Sequence, residues 1–152
     1  DDLERRDTSN SDKSKYLRIC PGDIGYNTMR MWQGRSAVSH LEGIVSPAYT
    51  VCAPLPGIDS RFMGHLFRLP SMIWTFRRYS QGLVSDVWNL YWQSFRGIRV
   101  RLPDKPEQER IATLLETCGG EIALLNRKLS TLREQKKGLM QRLLTGQIRV
   151  RS

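Results

Sequence analysis

The sequence predicts an α+β protein in which a small mixed α/β domain is followed by a long coiled-coil helix. Three observations support this fold class. Short strand-like runs separated by proline and glycine turns occupy residues 16–53, apolar residues recur at helical spacing over residues 60–82, and a heptad rhythm runs over residues 104–146. A chain of 152 residues has room for one compact domain and this helix, but not for two full domains. We therefore predict a domain over residues 1–103, a helical arm over residues 104–146 and a tail over residues 147–152.

The first half of the domain predicts strands joined by turns. Residues 1–15 carry four basic and five acidic side chains and are expected to be a solvated lead-in. Turns are expected where proline or glycine lies beside polar residues, at Pro21-Gly22-Asp23, Gln33-Gly34-Arg35 and Ser46-Pro47. The strand-like runs between them are Tyr16–Cys20, Ile24–Trp32, Gly43–Val45 and Ala48–Ala53.

The second half of the domain predicts two helices and then two strands. From Ser60 the apolar residues are spaced by three or four, and a second helix begins after Pro70 and ends near Gly82. The segments Val84–Leu90 and Ile98–Leu102 are strand-like, and Pro103 begins the junction to the arm.

The arm predicts one continuous helix of about 60 Å, at about 1.5 Å per residue. Asp104 followed by Glu107 is typical of a helix start, and Gly146 is typical of a helix end. Gly119-Gly120 costs the helix roughly 2 kcal/mol, so we expect a kink, a break or the close approach of another backbone there. One seam of the helix carries the heptad residues, namely Ile111, Leu115, Cys118, Ile122, Leu125, Leu129, Leu132, Lys136, Leu139 and Leu143.

This seam is too long to be buried against its own small domain, so the arm is expected to need a partner helix. The lysine at position 136 costs stability but can fix the register of one specific pairing. A simpler interpretation of the same heptad pattern is a dimerisation coiled coil, or a long packed surface helix, that has no further role.

The basic charge of the chain is concentrated in arginine. The net charge is +9, and residues 16–103 contain ten arginines, no lysine and four acidic residues. Arginine makes planar, bidentate contacts with phosphate groups and guanine edges, which favours a nucleic-acid partner. The alternative is charge spread over the surface for solubility.

Membrane, disulfide and catalytic signals are weak or absent in the sequence. We find no run of 18 apolar residues and no signal-peptide pattern, so we expect a cytoplasmic protein without a membrane partner. Cys20, Cys52 and Cys118 lack metal spacing and are expected to be buried free thiols. His40 and His65 are isolated, and there is no phosphate-binding loop or nucleophile elbow. We therefore expect no catalytic residues, no metal and no cofactor bound by this chain.

Arginines recur beside aromatic residues in two segments, residues 26–35 and residues 74–80. Side chains of this kind can read base edges and phosphates when buried aromatics hold their loops in place. The alternative is that Trp32 and Trp74 lie in the core, and that arginines at the end of a helix only interact favourably with the helix dipole. The candidate DNA-contacting residues are Asn27, Arg30, Gln33, Arg35, Arg77 and Arg78.

Several of these stretches resemble the specificity subunit of type I restriction–modification systems. The junction PDKPEQERIATLLE and the end GLMQRLLTGQIRV look like the conserved arm of that family, with its patterns LP-x-x-x-EQ-x-x-I and K-x-x-LMQ-x-LLTG. The stretches GDIGYNTMRMWQG, GIVSPAYTV and RRYSQG resemble the body of its target-recognition domain. The resemblance covers nearly the whole chain beyond about residue 16.

The resemblance implies a non-catalytic subunit that reads one half of a bipartite double-stranded DNA target. The seam and the Glu-Gln and Leu-Leu-Thr-Gly ends would dock methyltransferase subunits, which hold S-adenosylmethionine, and through them the restriction subunit. The full subunit of the family has two recognition domains and two arms, whereas this chain has one of each and a recognition domain that looks truncated at its N-terminus. An antiparallel homodimer through the long helix would restore the pair.

Two other interpretations follow from the same residues. A coiled-coil adaptor, such as a degenerate gene remnant, would not bind DNA in a salt-dependent way. A nuclease fragment would cleave DNA with a metal for which the sequence offers no ligands.

Overall fold

The structure is a computed structural model that describes residues 12–83 and 88–150. It contains helices, antiparallel sheets and a long C-terminal helix, which confirms the α+β fold class. The chain divides into two compact units, Asp1–Glu109 and Arg110–Ser152.

The strands of the first unit form two small antiparallel sheets. One sheet pairs β1 with β4, and the other has the order β3-β2-β5. In the second sheet Tyr26 lies opposite Ser36 on one side and Thr50 on the other. The strands are β1 (Leu17–Ile19), β2 (Ile24–Asn27), β3 (Ser36–Val38), β4 (Gly43–Val45) and β5 (Tyr49–Cys52).

Short helices complete the secondary structure of this unit, and two of them begin at clear sequence signals. The Asp59 side chain caps one helix by accepting a hydrogen bond from the Phe62 N–H at 3.0 Å. Pro70 occupies the first turn of the next helix, where its missing N–H costs nothing. The helices are a 3₁₀ helix η1 (Met31–Gln33), α1 (Ser60–Leu66), α2 (Pro70–Tyr79), α3 (Trp92–Phe95) and α4 (Lys105–Leu144).

The core of the first unit lies between the central strand β2 and the helices. Phe95 stacks on Tyr26 with ring centroids 4.9 Å apart and contacts Phe67 and Phe76 edge-on or stacked. Because Phe95 lies on α3, this short helix closes the aromatic core. The buried apolar cluster consists of Ile24, Tyr26, Met31, Phe67, Met72, Phe76 and Leu90.

Several predicted elements differ from the structure. The strand expected over Ile24–Trp32 ends at Asn27, because a turn and η1 follow it. No strand forms over Ile98–Leu102, so that prediction is wrong. Of the segment Val84–Leu90, residues 84–87 lie outside the described residues, and Asn89 makes only an isolated bridge to Gln81.

The first turn of α4 is fixed to the domain by Gln108, which is 2% exposed. Its side-chain carbonyl accepts a hydrogen bond from the Asp59 N–H at 3.0 Å, and its amide donates to the carbonyls of Gly57 and Pro103 at 3.2 and 2.8 Å. Gln108 is the glutamine of the Glu-Gln motif. Since its polar atoms are bonded within the domain, this side chain is not available to dock another protein.

α4 begins and ends at the residues that the sequence indicates. The Asp104 carboxylate accepts a hydrogen bond from the Glu107 N–H at 2.9 Å, and Gly146 has a φ of 74° just beyond the last turn. The helix runs without interruption through Gly119 and Gly120, so the expected break is wrong. No described atom outside the local helix lies within 4 Å of a Cβ built at either glycine.

The heptad seam is largely exposed in the isolated chain. Ile111 and Leu143 are half-buried and Lys136 is exposed. Cys118 is also exposed, so the expectation of a buried thiol is wrong there, whereas Cys20 and Cys52 are half-buried; all three are free. The exposed aliphatic seam residues are Leu115 at 42%, Ile122 at 60%, Leu125 at 66%, Leu129 at 45%, Leu132 at 51% and Leu139 at 53%.

Within residues 12–83 and 88–150, no helix has the length and apolar character needed to cross a membrane.

Candidate nucleic-acid interface

Asn27 is the last residue of β2, and three further candidates, Arg30, Gln33 and Arg35, lie in the connection between β2 and β3. This connection is closed at its base by a hydrogen bond from the Asn27 N–H to the Arg35 carbonyl at 2.9 Å. Within it, the N–H groups of Gln33 and Arg35 donate to the Arg30 carbonyl at 2.9 and 3.3 Å. Gly34 ends η1 with a φ of 75°, a conformation that glycine adopts without strain. The connection is therefore a well-bonded loop with a fixed backbone.

The candidate side chains in and next to this connection differ in exposure and in hydrogen bonding. Arg30, Gln33 and Arg35 are exposed. Asn27 is half-buried, and its side-chain carbonyl accepts a hydrogen bond from the Met29 N–H at 3.0 Å. This bond shapes the loop and occupies one acceptor position of the Asn27 amide.

The other two candidates, Arg77 and Arg78, lie in the last turn of α2. The Arg77 guanidinium carbon lies 5.0 Å from the centre of the Trp88 ring, and Trp88 in turn contacts Trp32 edge-on with centroids 5.5 Å apart. Trp32 lies in η1 and donates its indole N–H to the Met29 carbonyl at 3.1 Å. A chain of contacts therefore joins Arg77 to the β2–β3 connection.

Trp88 is held in this position by its neighbours in the chain. Asn89 pairs with Gln81 through two backbone hydrogen bonds of 2.8 and 2.9 Å. The Leu90 N–H donates to the Thr28 carbonyl at 2.9 Å, and Leu90 is fully buried. The indole that supports Arg77 is thus anchored to both the end of α2 and the start of the connection.

Arg78 is supported separately, by Trp74 one turn earlier on the same helix. Its guanidinium carbon lies 4.7 Å from the centre of the Trp74 ring. Trp74 is 57% exposed, so the core role considered for it is wrong, whereas Trp32 is half-buried. Contacts of this kind at exposed positions stabilise by about 0.5–1 kcal/mol and limit the freedom of the guanidinium.

The charges of these arginines are not neutralised within the described residues. Glu42 pairs with Arg18, and Asp59 pairs with Arg61 at 2.9 Å. Among residues 12–83 and 88–150, no carboxylate oxygen lies within 4 Å of a candidate arginine. The surface formed by the β2–β3 connection and the end of α2 is therefore positively charged.

Two residues that the sequence did not single out belong to this surface. Trp88 supports Arg77, and Arg68 lines a cleft together with Arg35. Neither has a local signal, because both contacts join segments far apart in the chain.

Two titratable groups of the first unit have raised pKa values. Burial raises the pKa of the Tyr26 hydroxyl to about 12. Burial, with a contribution from the nearby Asp23 charge, raises the pKa of the Cys52 thiol to about 11. In the part of the chain that the structure describes, no group of three or more His, Cys, Asp or Glu side chains is placed to hold a metal ion.

Comparison with known proteins adds no relative, since no protein-family model and no curated protein gives a significant match.

Proposed function

We propose that the chain is a DNA-binding specificity subunit, or half-subunit, of the type I restriction–modification class, without catalytic activity of its own. The observation that carries the DNA-binding part is the Arg77–Trp88–Trp32 contact chain. It joins two arginine-bearing elements into one positively charged surface. Arg77 and Arg78 lie over aromatic rings, and the candidate arginines lack carboxylate partners in the described residues.

The chemistry of this surface fits the grooves and backbone of duplex DNA. Arg30, Arg77 and Arg78 can each bind a phosphate or the edge of a guanine with two parallel hydrogen bonds. Gln33 can read an adenine edge, because its exposed amide offers one donor and one acceptor. We propose that one half of a bipartite target is read in this way.

The proposal for the arm rests on its exposed seam and on the resemblance of its two ends. We propose that the seam and the Leu-Leu-Thr-Gly end dock a DNA adenine methyltransferase subunit that binds S-adenosylmethionine, and that the restriction subunit joins through it in the cytoplasm. The Glu-Gln end contributes less than the resemblance implies, since Gln108 is buried in its own domain. Co-expression with a neighbouring methyltransferase gene tests this step, and separate elution at micromolar concentration contradicts it.

Two copies of the chain would supply the second recognition domain. We propose an antiparallel homodimer through the arm, related by a two-fold axis, which would read two identical half-sites in inverted orientation. Light scattering at tens of micromolar tests the pairing. A dimer mass that Leu125→Asp with Leu129→Asp converts to a monomer mass supports it, and a monomer mass for the unmodified chain contradicts it.

DNA binding is tested by titrating duplex DNA with the full chain at several salt concentrations. Each phosphate contact adds about 0.9 to the slope of log K against log salt. We expect Arg77→Ala with Arg78→Ala to reduce this slope by up to about 1.8. The matched control is Arg127→Ala with Lys128→Ala, which removes the same charge from exposed positions of α4 outside the recognition domain.

A coiled-coil adaptor without DNA binding is the second candidate, and the exposed seam favours it equally. The same titration separates the two functions. An adaptor shows no salt-dependent affinity for duplex DNA, and both double variants then behave like the unmodified chain.

A further inference from the structure

Arg35 and Arg68 line one cleft of about 330 Å³ on the first unit. Arg35 follows η1, whereas Arg68 follows the residue that caps the C-terminal end of α1. Both side chains are exposed, and Tyr49 and Ser36 line the cleft beside them. The cleft therefore combines two positive charges with an aromatic ring.

The backbone brings these two arginines together at a point of close approach. A Cβ built on Gly34 would lie 3.8 Å from the Phe67 carbonyl oxygen, and these residues directly precede Arg35 and Arg68. A second tight contact fixes α1 on β3, since a Cβ on Gly64 would lie 2.9 Å from a Val38 methyl group. The juxtaposition of the two arginines thus follows from the packing of α1 against the end of η1 and β3.

The cleft has no internal counterion. Among the described residues, no carboxylate oxygen lies within 4 Å of the guanidinium group of either arginine. Two guanidinium groups suit the oxygens of a phosphate group.

We infer that this cleft binds a phosphodiester group of the DNA backbone. The inference rests on the proposed function and extends it, because it adds Arg68 and α1 to the DNA-binding surface. The source of the phosphate is the duplex, since Arg35 is the last residue of the connection that also carries Arg30 and Gln33. A phosphate held by Arg35 and Arg68 would lie beside the bases that this connection reads, and would fix the register of the loop on the DNA.

The test compares Arg68→Ala with the unmodified chain in duplex titrations by fluorescence anisotropy. Loss of one phosphate contact lowers the salt slope by about 0.9, which weakens binding about eightfold at roughly 0.1 M salt and leaves it nearly unchanged at roughly 1 M. Arg68→Lys keeps the charge and should keep the slope. Arg18→Ala on β1 is the control for a general loss of one charge, and it should change neither slope nor affinity by more than about twofold.

The outcomes separate this inference from the proposed function. If the unmodified chain binds DNA with a salt-dependent affinity and Arg68→Ala retains slope and affinity, the cleft is not a phosphate site although the chain binds DNA. If the unmodified chain does not bind DNA, the proposed function fails, and the cleft is tested with inorganic phosphate by following the side-chain Nε–H resonances of Arg35 and Arg68. Shifts that saturate would then assign the cleft to a free phosphate compound and overturn the duplex as its source. The absence of shifts would overturn phosphate binding altogether.

Discussion

Replacing Gln108 with alanine should strongly destabilise the first unit. The side chain is 2% exposed and makes three hydrogen bonds, to the Asp59 N–H and to the carbonyls of Gly57 and Pro103. These partners lie in two segments of the unit, the loop before α1 and the junction to α4. Gln108 therefore holds together parts of the chain that are up to 51 residues apart.

The expected cost follows from the groups that would lose their partner. A buried donor or acceptor left without a hydrogen bond costs about 1–3 kcal/mol, and relaxation or entering water recovers part of this for groups near the surface. With three such groups, and with the side-chain volume left empty, we expect a loss of about 3–4 kcal/mol. The variant Gln108→Glu should also destabilise the unit, because a carboxylate cannot donate to the two carbonyl oxygens and would be buried without a counterion.

Urea unfolding followed by tryptophan fluorescence measures this cost in the first unit alone, because all four tryptophans lie before residue 110. With a slope of about 1.5 kcal/mol per molar urea, the midpoint should fall by about 2–3 M. Gln135→Ala is the matched control, since Gln135 is exposed on the same helix and should change the stability by less than about 0.5 kcal/mol. Equal midpoints for the two variants would refute the role assigned to the Gln108 hydrogen bonds.

Three further changes have effects of known direction. Gly34→Ala should destabilise the first unit by about 1–3 kcal/mol, because the residue has a φ of 75° and a Cβ there would lie 2.9 Å from an Ile73 carbon. Urea unfolding measures this loss of stability. Gly119→Ala should instead stabilise α4 by about 1 kcal/mol, because no described atom beyond the local helix lies near a Cβ built there. Thermal unfolding followed by circular dichroism measures this gain, and no gain would appear if a partner backbone needed that space. Asp59 contributes stability that falls as the pH drops. Desolvation raises the pKa of its carboxyl, but the hydrogen bonds from Arg61 and the Phe62 N–H and the charge of Arg61 outweigh desolvation, so the pKa lies below 3.8. This contribution is therefore present above about pH 4 and is lost as the pH falls through the folded-state pKa, and Asp59→Asn, which keeps the cap, should remove that part of the pH dependence of the urea midpoint.

The elements that the sequence predicted are those with local signals. α2 begins at Pro70 and α4 at Asp104 because a proline in a first turn and a capping carboxylate act within one turn of the chain. The strand β3 had no such signal, since it is three residues long and exists because it pairs with β2. The segment Ile98–Leu102 shows the converse, because its alternating pattern is typical of a strand but no described strand lies beside it.

The candidate site divides in the same way. Arginines next to aromatic residues could be found in the sequence, and Arg78 over Trp74 is a contact between residues one helical turn apart. The partner of Arg77 could not be found, because Trp88 reaches it only after the chain has left α2 and returned. Arg68 likewise joins the surface through the packing of α1, which no local pattern encodes.

The exposed seam of α4 gives a magnitude for the proposed pairing. Six aliphatic seam residues are between 42% and 66% exposed, and burying such a half-exposed side chain contributes about 0.7–1.5 kcal/mol. Two helices together would gain about 8–18 kcal/mol, against an association cost of about 4–15 kcal/mol. Lys136 on each seam reduces the gain. The gain and the cost are therefore of similar size, and the proposed pairing would be reversible. A methyltransferase subunit that binds the same seam could then displace the second copy, and the two proposed partners of the arm would be alternatives at any one seam.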